Sequence, residues 1–157
     1  MKFKKFMAMT MLVLSVSSLN TANIFASENM GVSSYKPNIQ IETRTTQRPN
    51  QSEIWDFSNS GTYYFSGQAA FDNLYTDYMF MGSKSYEIEV TNLKGYIDED
   101  LEVTVYKSPS IGFDKKIGSM IVTGQQTNTL KISNLNTSDR IYIKFSAPSH
   151  FEGSISD

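Results

Sequence analysis

The chain has 157 residues, with 16 acidic against 14 basic side chains, 13% aromatic residues, one histidine and no cysteine. The missing cysteines exclude disulfides and cysteine-borne lipids, and a single histidine leaves too few ligands for a zinc site of the usual kind. A net charge of −2 argues against nucleic acid and anionic membranes as partners, so folding must rest on burying Tyr and Phe side chains.

At the N-terminus, Lys2, Lys4 and Lys5 precede an apolar run from about Phe6 to Val16, which relaxes into small polar residues before Ala26. This is the pattern of a bacterial-type secretory signal peptide over residues 1–26. Its apolar core is nearer ten residues than the roughly twenty a membrane span needs. Cleavage is expected after Ala26, with Ala22 as the fallback, and the product is expected to be released outside the cell. Taking 26 residues from 157 leaves 131; the three lysines go with them, so 11 basic residues face 16 acidic ones, a balance of −5.

Residues 27–52 are rich in Ser, Thr, Asn and Gln and poor in large apolar side chains, a composition that burial cannot order. A flexible polar leader is expected there, within which Asn38–Thr43 alternates and offers a short edge strand. From Glu53 the apolar residues recur with period two. Candidate strands in chain order are Ile54–Phe57, Thr62–Ser66, Leu74–Phe80, Tyr86–Val90, Leu101–Val105, Ile117–Thr123, Thr129–Ser133, Ile141–Phe145 and Phe151–Ile155. Turn chemistry separates them, as at Asn59-Ser60-Gly61, Met81-Gly82-Ser83 and Ser108-Pro109-Ser110. Eight or nine short strands at this spacing predict an all-β domain over residues 53–157, an antiparallel β-sandwich or jelly roll. Gly, Pro or β-branched residues interrupt every helical window, so no helix is expected. The apolar phase predicts a core of Ile88, Val90, Leu101, Val103, Val105, Leu130, Ile132, Ile141, Ile143 and Phe145.

The stretch Asp98-Glu99-Asp100-Leu101-Glu102-Val103-Thr104-Val105-Tyr106 is an acidic turn feeding a strand of alternating aliphatics that ends in Tyr. With Asn128–Ile132, Arg140–Phe145 and a closing Phe151–Ile155, it resembles the bacterial pre-peptidase C-terminal domain, a secreted β-sandwich related to collagen-binding modules. The likeness spans roughly Thr62 to Ile155. It departs from the family at Ser138-Asp139-Arg140, where a Gly usually precedes the Tyr-containing strand, and no catalytic domain is recognisable within the 157 residues.

Three carboxylates, Asp98, Asp100 and Glu102, fall on alternate positions and share one side of an extended segment. Converging oxygens of this kind hold Ca²⁺ weakly in extracellular modules, and the resemblance to collagen-binding modules adds some weight. Without the Gly and terminal Glu of an EF-hand loop, the turn reads as solvated surface, with a weak Ca²⁺ site as the alternative and no other cofactor. The tyrosines Tyr64, Tyr75, Tyr106 and Tyr142 lie out of phase with the core and are candidates to grip a peptide or stack on a sugar. Trp55 reads as a core or edge plug. His150 has no activated nucleophile beside it, and no Gly-x-Ser-x-Gly elbow is present, so no catalytic residue is expected. The functional expectation is a secreted, non-catalytic binding or accessory module for an extracellular protein or matrix partner, engaged through a sheet face or edge. A carbohydrate-binding module using the outward tyrosines is the alternative.

Overall fold

The structure is a computed structural model that describes residues 41–42, 45–93 and 99–157. Its eleven described strands form two sheets. They are β1 (Ile41–Glu42), β2 (Ile54–Asp56), β3 (Tyr63–Ala69), β4 (Leu74–Tyr75), β5 (Met79–Met81), β6 (Tyr86–Asn92), β7 (Leu101–Lys107), β8 (Lys115–Val122), β9 (Thr127–Ile132), β10 (Ile141–Phe145) and β11 (Ser149–Ser156). The first sheet runs β1-β3-β11-β6-β9, and the second runs β2-β5-β10-β7-β8 with β4 also paired to β10. The fold is an all-β sandwich, as the period-two patterning predicts.

Two pairings, β1 with β3 and β2 with β5, are parallel, and the rest are antiparallel. Tight hairpins impose antiparallel pairing, but each parallel pair has other strands between its members in sequence and escapes that constraint. The expected strand Leu74–Phe80 is split in two, because Thr76 turns inward: its hydroxyl donates to the Tyr78 carbonyl and accepts from the Ile143 amide. Where no helix was expected, one turn forms at α1 (Phe57–Ser60), with the Asp56 carboxylate accepting from the Ser58 amide as N-cap. Capping of this kind overrides a weak helical pattern over so short a span.

Side chains of both sheets meet in one core. Tyr86, Ile88 and Val90 of β6 and Tyr63 and Phe65 of β3 face Leu101, Val103 and Val105 of β7 and Ile141, Ile143 and Phe145 of β10, all buried. Phe145 and Phe151 stack across the interior with centroids 3.9 Å apart. Of the predicted core, Leu130 is only half-buried, because β9 is the edge strand of its sheet. Trp55, on the edge strand β2 of the second sheet, plugs that edge, half-buried and packed edge-on against Tyr63 and Tyr78, with Nε1 donating to the Gly61 carbonyl.

The described part of the polar leader also belongs to this unit. Thr45 bridges to Tyr75, Pro49 is buried, and β1 lies beside β3. Few apolar side chains are needed there, since hydrogen bonds to strands already in place hold the segment.

Candidate functional site

The outward residues of β10, β7 and β4 build one face. Tyr142 and Tyr106 are direct cross-strand partners, and their rings stack at 5.4 Å with 15° between planes. Tyr75, paired with Lys144 one outward position along β10, brings its ring to 6.1 Å from Tyr142. Three of the four candidate tyrosines therefore form a row. Tyr64 lies on β3 in the other sheet and is not part of it.

The middle ring is covered. Tyr142 is 4% exposed although it points away from the core. Its hydroxyl donates to Asp114 Oδ2 at 2.9 Å, and the same oxygen takes an ion pair from Arg48 at 2.5 Å. Burial alone would raise the Asp114 carboxyl, but donors around it, Arg48 and Tyr142 among them, outweigh burial and hold it below the usual carboxylate range. Burial first, and the neighbouring Asp114 carboxylate second, raise the Tyr142 phenol.

Asp114 closes the loop between β7 and β8, Ser108–Asp114, whose base is fastened at several points. The Ser108 amide donates to the Arg140 carbonyl at 2.8 Å, and Gln51 Nε2 donates to the Pro109 carbonyl at 3.2 Å. Arg140 in turn donates to the Gln51 carbonyl, and Lys107 pairs with Asp139 at 2.7 Å. A register shift between Val105 and Tyr106 leaves Ile117 as the extra residue, so that Lys116 stands opposite Tyr106 on the outer face. On this fixed base the tip turns at Gly112, whose φ of 111° is left to glycine, and presents Ile111 and Phe113 at 94% and 96% exposure. Neither residue was a candidate from sequence. The available signal was an apolar pair, Ile111-Gly112-Phe113, inside a stretch with turn chemistry and no strand alternation.

Of the acidic set, Asp98 lies outside the described residues, Asp100 is exposed, and Glu102 is already engaged. Glu102 Oε1 accepts from Lys116 Nζ at 3.1 Å and from the Thr104 hydroxyl at 3.2 Å; those bonds, Lys116 first, lower its pKa. Among the described residues no three His, Asp or Glu side chains group to hold a metal ion. His150 stands on β11 opposite Gln68 of β3, beside the buried Phe151, with no serine elbow in the chain to activate.

No protein-family model matches the chain, and no curated protein matches it.

Proposed function

We propose that the protein is a secreted, non-catalytic binding module that engages an extracellular protein partner through the outer face of the second sheet and the β7–β8 loop. The observation that supports this reading is the pair Ile111 and Phe113, almost wholly solvated at the tip of a loop whose base is locked. Two large apolar side chains held out on a rigid support lose little conformational entropy on docking and gain burial when a partner covers them. Export belongs to the same proposal and rests on the Lys-rich start and short apolar run of residues 1–26. The likeness to the pre-peptidase C-terminal domain belongs to it too, carried by the acidic turn and the alternating strand Leu101–Tyr106.

A glycan on the same face is the second reading, favoured by the row Tyr75, Tyr106 and Tyr142. It draws less support, since the covered middle ring leaves only the flanking two to meet a sugar.

The test is a pull-down from culture supernatant, with immobilised collagen in parallel, comparing the wild type with an Ile111→Ala/Phe113→Ala variant. Both sites are exposed, so the variant should melt like the parent. The expected result is a protein retained by the wild type and lost by the variant. Equal retention by both, or none by the wild type, removes the loop from the function.

A further inference from the structure

A second feature lies at the other end of the sandwich. The β7–β8 loop starts where Lys107 pairs with Ile141 at the beginning of β10, whereas Leu74 pairs with Phe145 at the end of that strand. Around Leu74 opens a cleft of about 610 Å³, within the range of small-molecule sites. Its wall includes Thr46, Gln68, Phe71, Asp72 and His150.

The wall combines a bare aromatic ring with uncharged and acidic polar groups. Phe71 is 93% exposed on the connection between β3 and β4, and Asn73 fastens the end of that connection by accepting from the Ala147 amide. One solvated Phe is unremarkable by itself, but this one borders a cleft of ligand size. The register sets Gln68 and His150 directly across from each other on β3 and β11, so their side chains rise from the same side of the sheet. Asp72 follows Phe71 and is exposed.

The chemistry of the wall narrows the ligand. Among the described residues no Lys or Arg lines it, so phosphate, sulfate and carboxylate groups would meet no counter-charge from them. The one carboxylate and one imidazole among its described residues are too few to hold a cation. What fits is a molecule with an apolar face for a ring and many hydroxyls that both donate and accept: Asp72 only accepts, while Gln68 and Thr46 do both.

We propose that this cleft binds a neutral saccharide, with Phe71 stacking on a sugar ring and Asp72, Gln68 and His150 hydrogen-bonding its hydroxyls. The site is separate from the protein-docking loop, and the two readings stand or fall independently.

The probe is a panel of neutral oligosaccharides from glucan, mannan, xylan and chitin on an array, followed by calorimetry with any retained sugar. Phe71→Ala, at an exposed position, should keep the parent's circular dichroism and melting temperature while weakening the sugar several-fold, up to about tenfold, the scale of one ring contact. Asp72→Ala should weaken it several-fold, and Ile111→Ala/Phe113→Ala should leave it unchanged. The proposal is overturned if the wild type retains no neutral sugar at millimolar concentration, or if Phe71→Ala binds as the parent does. A loss seen only on replacing Tyr106 would also overturn it, by moving the sugar to the tyrosine face.

Discussion

The Tyr142 hydroxyl donates a 2.9 Å hydrogen bond to Asp114 Oδ2, tying the central outward tyrosine of β10 to the end of the β7–β8 loop. One bond thus covers the middle of the tyrosine row and fixes the base from which Ile111 and Phe113 project. Asp114→Ala should cost about 1.5 to 3 kcal/mol of stability, the scale of a hydrogen bond to a charged group, and loosen the loop. Arg48→Ala should cost less, because its side chain is 58% exposed and water screens the pair. Chemical denaturation of the two variants checks the order.

The same pair predicts how stability varies with pH. Tyr142 and Tyr86 are both raised in the fold, chiefly by burial, so the unfolded chain loses those protons first. Their contribution is complete below about pH 10, the ordinary tyrosine value, and is lost as pH rises toward their folded values. On the acid side, Asp56, Glu102, Asp114 and Asp139 are lowered by hydrogen bonds that outweigh burial, so their contribution is present above about pH 4 and disappears as pH falls through the folded values. Asp77, raised by burial, opposes that trend. Melting curves across pH should therefore fall at both extremes, and Tyr142→Phe should flatten the alkaline limb. An unchanged alkaline limb in that variant would contradict the burial of the Tyr142 phenol.

Two core substitutions should differ in kind. Val103→Ala empties volume at a fully buried position between the sheets and should cost about 1 to 3 kcal/mol. Gly153→Ala adds volume in the central strand β11, where a Cβ would run into the Glu89 carbonyl and the Phe65 ring. Neither obstacle is the free end of a flexible chain. The expected loss is about 3 kcal/mol or more, visible as a lower melting temperature or as insoluble product.

Calcium should have no effect on melting. Glu102 is committed to Lys116 and Thr104, so a cation at the acidic turn would first have to displace an ion pair. The measurement compares melting temperatures in millimolar Ca²⁺ and in chelator. A rise with Ca²⁺, abolished by Asp100→Asn, would instead establish the site through preferential binding to the folded state.

Export has a direct readout. Intact mass of the protein recovered from culture medium should correspond to a chain beginning at Ser27, and a mature chain that retains Met1 would refute the signal-peptide assignment.

Sequence alone determined the all-β class and the face each strand buries, because a period of two leaves only one way to bury Ile88 and Val90, Leu101, Val103 and Val105, and Ile141, Ile143 and Phe145: each set faces inward, and a shift of one residue would expose it all. It also picked out Tyr75, Tyr106 and Tyr142 as outward, since alternation along a strand is a local property. Only the tertiary structure decided that these three lie side by side while Tyr64 does not, because neighbourhood depends on strand order, and strand order is not written in any one strand. Covering of Tyr142 was likewise undecidable from its own strand: Asp114 and Arg48 reach it from 28 and 94 residues away in sequence, positions 114 and 48 against 142. The exposure of Ile111, Phe113 and Phe71 was hidden for the opposite reason. An apolar residue between strands reads as a candidate for burial until the packed sheets show that no interior remains to receive it.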